Sequence, residues 1–159
     1  MKTIIALAAC VCSLFLTGCV STRQFVPLPD QTKKVEDPSK GRIYVMRPTP
    51  FGSAISMNVS DDGKLIGVTG PEGFLCWERK PGETIISSTA EGVSQVPLTV
   101  QPGQDYYIFQ HIRMGLLIAE NELEIVNDVE GEKTLKKCNP PKIETPPPSG
   151  FATNGATQP

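Results

Sequence analysis

Apolar and polar positions divide this chain into four regimes. Residues 4–16 form an uncharged run, residues 20–40 are polar without periodicity, residues 41–126 alternate between turn signals, and residues 139–159 are proline-rich. The third regime carries the fold. Ile43, Tyr44, Val45 and Met46 make a short β run closed by Arg47-Pro48-Thr49-Pro50. Ile55, Met57 and Val59 alternate with Ser56, Asn58 and Ser60, the period of a half-buried strand. Asp61-Asp62-Gly63-Lys64 is a hairpin signal with Asp-Gly at its centre, and residues 65–68 return from it. Residues 74–78 follow, then Lys80-Pro81-Gly82-Glu83 as a type II turn into residues 84–88. Val96, Leu98 and Val100 alternate again, Gln101-Pro102-Gly103-Gln104 repeats the Pro-Gly turn, and residues 106–112 and 116–126 are longer strands broken at Gly115. Residues 129–137 read as a short helix or an eighth strand. Strands at this spacing predict an all-β fold: a single antiparallel β-sandwich of about seven strands, Ig-like or PEGA-like, with a short C-terminal helix as an addition. A small barrel is the second architecture.

The first regime is an address. Met1-Lys2-Thr3 is a short positive start, and the thirteen residues 4–16 are uncharged. At ~1.5 Å per residue they span about 20 Å, short of the ~30 Å hydrocarbon core and right for a secretory signal. Leu16-Thr17-Gly18-Cys19 resembles a bacterial lipobox. The resemblance implies that residues 1–18 are removed and that Cys19 carries a diacylglycerol and an N-acyl chain, several chains together making a firm anchor. Val20 stands where an inner-membrane lipoprotein would carry Asp, which by the same resemblance points to the outer membrane of a Gram-negative bacterium, with the domain in the periplasm.

Proline then separates domain from tails, with nine of 15 lying outside residues 41–138. Residues 19–40 read as the lipidated cysteine and a flexible tether of roughly 25 Å reach. The sandwich occupies residues 41–138. Residues 139–159 read as a disordered tail, extended around Pro146-Pro147-Pro148.

Length and charge narrow the function. At 159 residues there is room for one ordinary domain. After signal removal 14 basic residues face 17 acidic ones, spread through the sequence, so no basic face for nucleic acid is expected. Cys10 and Cys12 leave with the signal. Cys76 and Cys138 remain as a candidate disulfide in an oxidising compartment, or as two separate buried thiols.

Candidate chemistry is sparse. The single histidine, His111, has no second His with which to build a cluster, so neither a metal site nor a cofactor is expected beyond the acyl chains on Cys19. Asp61-Asp62-Gly63 lacks the alternating acidic ligands of a calcium loop. Glu120, Glu122 and Glu124 share one strand face, as an acidic stripe for a partner or as a solvated outer face. Paired carboxylates also serve glycosidases, but these lie side by side and do not flank a bond. Trp77 beside Phe74 and Cys76, with Tyr106 and Tyr107, is either core or a binding surface. Alternation places Phe74 and Cys76 on one face and Leu75 and Trp77 on the other, as in a strand covered twice.

After the lipobox come Gly41-Arg42-Ile43-Tyr44-Val45-Met46-Arg47-Pro48, Asp62-Gly63-Lys64-Leu65-Ile66-Gly67, Lys80-Pro81-Gly82-Glu83 and Gln101-Pro102-Gly103-Gln104-Asp105-Tyr106-Tyr107. Their order resembles the bacterial lipoproteins with domain of unknown function 2846, over residues 41 to about 137. That resemblance implies a small envelope β-sandwich and transfers no catalytic residue. The expected function is a non-enzymatic, membrane-anchored periplasmic binding or structural module, with another envelope protein or peptidoglycan as partner. A small-ligand or glycan binder is the alternative; a hydrolase built on the glutamate stripe is the weakest.

Overall fold

The computed structural model describes residues 20–33, 35–114 and 119–147. The signal segment 1–18, Cys19, the expected break at Gly115 and residues 148–159 lie outside the described residues. In chain order the elements are β1 (Arg23–Gln24), β2 (Gly41–Arg47), β3 (Met57–Asp61), β4 (Lys64–Thr69), β5 (Gly73–Arg79), β6 (Gly82–Thr89), β7 (Val93–Val100), β8 (Asp105–Met114), β9 (Ala119–Val126), α1 (Asp128–Leu135) and β10 (Lys142–Ile143).

Two sheets face each other, a six-stranded one in the order β10-β1-β4-β3-β6-β7 and a four-stranded one in the order β5-β2-β8-β9. This is the all-β sandwich that alternation predicts, with eight long strands and two short ones. Asp62 and Gly63 join β3 to β4 at φ 48° and 78°, the doubly left-handed pair of a type I′ turn. The Pro-Gly turns serve differently from expectation. Lys80-Pro81 and Gln101-Pro102-Gly103 are corners that carry the chain from one sheet to the other. Gly82, at φ 133°, already belongs to β6, so no type II turn forms there. Pairing is also not wholly antiparallel: β2 and β8 are parallel neighbours, as are β1 and β10. Parallel neighbours need a long connection, and the five strands β3–β7 supply it for β2 and β8.

Between the sheets Ile43, Val45, Val59, Ile66, Leu75, Trp77, Ile86 and Ile108 form the main core. The opposite face of the four-stranded sheet is apolar too. There Tyr44, Met46, Phe74, Cys76, Tyr107 and Phe109 form a second cluster, roofed by Leu28, Val126, Leu135 and Cys138. The faces of β5 are those read from alternation. The helix alternative for residues 129–137 is the one realised: Asn127 caps α1 by accepting from Glu130 N at 3.0 Å, and Gly131 lies flat against the Tyr107 ring.

Residues 20–33 are not a loose tether. β1 pairs with β4 through Arg23↔Val68 and Gln24↔Gly67 and with β10 through Gln24↔Ile143, and Phe25 N donates to Ile66 O. The near part of the expected tail is likewise tied down, Lys142 N donating to Thr22 O and Glu144 N to Gln24 O. The cause is a pair of open edges. β4 and β5 end their respective sheets side by side, and an unpaired edge leaves backbone polar groups without partners. β1 supplies a backbone to β4, while the Gln24 side chain serves β5, accepting from Cys76 N at 2.9 Å and donating to Cys76 O at 2.7 Å. Glycine permits the close approach: a Cβ at Gly67, Gly70 or Gly73 would overlap Arg23 O, Val20 O or Thr22 Oγ1.

Candidate functional site

From β1 the chain runs over the end of the sandwich as residues 26–29 before crossing the four-stranded sheet. Its course, the β3–β4 hairpin and the end of β5 enclose an open cleft of about 610 Å³. Val26, Pro27, Leu28 and Pro29 make one wall, Ile66 and Trp77 the floor. The remaining lining is charged and balanced in sign, with Glu36, Asp61, Asp62 and Glu78 facing Lys40, Lys64, Arg79 and Lys80.

Each acid in the cleft is engaged. Asp61, at the last position of β3, accepts from Trp77 Nε1 at 2.8 Å and from Arg79 and Thr84. Alternation explains the grouping, since Trp77 and Arg79 share a face of β5. Asp62, in the turn, accepts from Ile85 N at 2.9 Å and from Arg79 at 3.2 Å. The Ile85 amide first, then Thr84 and Arg79, hold its carboxyl below the usual carboxylate range. Glu78 accepts from Arg42 at 2.9 Å and from Glu36 N at 2.7 Å. Arg42 is almost fully buried. Burial opposes its charge, and hydrogen bonds with Tyr44 and Glu78 outweigh that, raising its pKa above the ordinary value. Hydrogen bonds from fixed donors hold the side chains of Asp61, Asp62 and Glu78 in place along the cleft.

The residues singled out from sequence fall in separate places. Trp77 is 4% exposed and belongs to the main core, only its indole N–H reaching the cleft side. Tyr106 packs against the same core, its hydroxyl accepting from Gln101 N at 2.8 Å. Tyr107 points to the other side of the sheet, stacked on Tyr44 at 5.1 Å beneath α1. The three rings therefore do not form one binding surface, because neighbours on a strand face opposite ways.

Glu120, Glu122 and Glu124 do share the outer face of β9 and are exposed. Arg113 pairs with Glu122, and His111 Nε2 lies 3.0 Å from Glu124. The stripe is thus half of a cross-strand charge ladder on a flat face. Among the described residues it faces no opposing acid across a cleft, and no group of His, Cys, Asp and Glu is placed to hold a metal.

The expected Cys76–Cys138 bridge is absent; both are free thiols. Asn139 sits beside Gly73 at the start of β5, with its N bonded to Glu72 O. Cys76 lies three residues further along the strand than Gly73, so the segment carrying Cys138 meets β5 at its start and not at Cys76. Burial pushes the Cys76 thiol up to about 12 and the Cys138 thiol up to about 11.

Two residues that organise the site escaped sequence reasoning, Gln24 and Arg42. A signal existed for Arg42. It shares a strand face with Tyr44 and Met46, and an arginine on an apolar face must find a partner. Nothing local marks Gln24.

Over 131 residues the chain is 29% identical to an uncharacterized protein of Haemophilus influenzae, covering 80% of this chain and 78% of that one. No family model matches the chain, and no solved structure does.

Proposed function

We propose that this chain is a lipid-anchored, non-catalytic binding module of the Gram-negative cell envelope. An acylated Cys19 holds it in the outer membrane with the sandwich in the periplasm, and membership of the lipoproteins with domain of unknown function 2846 is part of the same proposal. The cleft over Trp77 is the binding site. What carries this reading is the cleft's construction, an open trough of about 610 Å³ with proline-rich and apolar walls and charges of both signs.

Such a trough suits a short extended segment bearing polar and charged groups, from an envelope protein or from the peptide part of peptidoglycan. Engagement of Asp61, Asp62 and Glu78 by fixed donors favours binding over hydrolysis. A deep apolar sugar pocket is less well supported, because Trp77 offers almost no ring face.

Photo-crosslinkers placed at Lys64 and Lys80 should capture a discrete partner in intact cells, and one at Glu122 should not. The Cys19→Ala form, released from the membrane, should lose the adduct. Equal capture from all three positions would overturn the assignment of the cleft. Membrane retention of Cys19→Ala would overturn the anchor.

A further inference from the structure

The anchor reading has a geometric consequence, because the backbone next to Cys19 is built into the fold. Val20 O packs on Gly70 so closely that no Cβ fits there, and Gly70 N donates to Thr22 Oγ1 at 2.9 Å. Val20, whose backbone packs on Gly70, is the residue to which Cys19 is covalently joined, so a lipid on Cys19 is tethered within one residue of this part of the fold. The end of the sandwich that holds Gly70 must then lie at the bilayer surface. Thr69 is opposite Met57, Asn58 opposite Thr89, and Thr89 opposite Val93, while Arg47 is opposite Gly73. Those pairings place the loop after Arg47 and the β6–β7 hairpin at that same end.

Both carry exposed apolar side chains, Phe51 at 50% and Val93 at 65%. Phe51's exposure is enforced. The wholly buried Arg47 guanidinium donates to the carbonyls of Ile55, Phe51 and Gly52 at 2.6, 3.0 and 2.6 Å, pinning the loop from within. We infer that this end of the sandwich docks on the lipid bilayer, with Phe51 and Val93 entering the headgroup boundary beside the Cys19 acyl chains. The inference rests on the anchor proposed above. Glu72 and Glu91 lie in the turns of this end, so the contact is apolar and not an attraction to anionic lipid. Covalent attachment makes docking intramolecular, so a small apolar contact is enough. The cleft follows at the opposite end of β5, about 20 Å away along six residues of strand, and opens away from the lipid.

The test uses the full lipidated chain in phosphatidylethanolamine–phosphatidylglycerol vesicles whose acyl chains are brominated, quenching nearby tryptophan. Phe51→Trp is compared with Val129→Trp, an exposed position on α1 near the cleft end. Trp77, being buried, adds the same background to both. Phe51→Trp should shift to the blue and lose most of its added emission, while Val129→Trp should match its value in unbrominated vesicles. Equal behaviour of the two in protein that floats with the vesicles overturns the docking and leaves the anchor standing. Failure of the wild-type chain to float, as for Cys19→Ala, overturns the anchor and the docking with it.

Discussion

Replacing Gln24 by Ala separates an integral N-terminal segment from a loose tether. The side chain is fully buried and closes a two-way hydrogen bond with the backbone of Cys76. Truncation strands one buried N–H and one buried C=O on the edge of β5, each costing about 1–3 kcal/mol. The bonds to Val26 O and Pro27 O are only partly buried, so water replaces them at little cost. The expected loss is therefore about 2–6 kcal/mol, a large fraction of the ~5–15 kcal/mol typical of a domain. Urea unfolding of the purified protein gives the total. Hydrogen exchange gives its location: the Cys76 amide should lose protection ahead of Val45, in the middle of the neighbouring strand. Gln31→Ala, at an exposed position touching Cys76 Sγ at 3.6 Å, serves as control and should cost under about 0.5 kcal/mol. A Gln24→Ala loss as small as the control's, with Cys76 still protected, would refute the edge-closing role.

Four further outcomes follow from the packing. Gly131→Ala should gain about 1 kcal/mol of helix propensity yet destabilise the fold by about 1–3 kcal/mol, since the new methyl overlaps Tyr107; thermal melts decide the sign. Arg42→Ala should cost about 3–5 kcal/mol by leaving Glu78 buried without its cation and Lys33 O without its donor, whereas the paired Arg42→Met, Glu78→Leu protein should recover most of it. Thiol titration should find Cys76 and Cys138 unreactive in native protein at pH 8 and both reactive after unfolding. The Cys76 thiol loses its proton at about 12 when folded and near ~8.5 when unfolded, so the unfolded state binds fewer protons between those values. Stability therefore falls as pH rises above ~9, by at most ~1.4 kcal/mol per pH unit from this group, and Cys76→Ala should flatten that slope.

Local requirements were legible in the chain. Period-two alternation named the strands and assigned Leu75 and Trp77 to one face and Phe74 and Cys76 to the other, because side-chain direction in a strand depends only on position parity. Asp62-Gly63 announced its hairpin because few residues tolerate two left-handed conformations in succession. The parallel β2–β8 pairing was not legible, since a turn signal marks where the chain bends and not which sheet it enters next. Neither was the cysteine separation, because residue spacing carries no information about distance between strands.

Sequence alone determined the β-rich class, the strand faces and the Asp62-Gly63 hairpin, all of which depend on short stretches read in place. Tertiary structure decided the rest. Whether residues 20–33 float or pack depends on open edges of β4 and β5 more than 40 residues away, and on three glycines that leave room for the approaching backbone. The cleft exists only because that segment crosses beside the Asp61–Lys64 hairpin and the end of β5. Backbone hydrogen-bond satisfaction is a property of the whole fold, so a polar stretch that looks unattached in sequence becomes the strand that completes it.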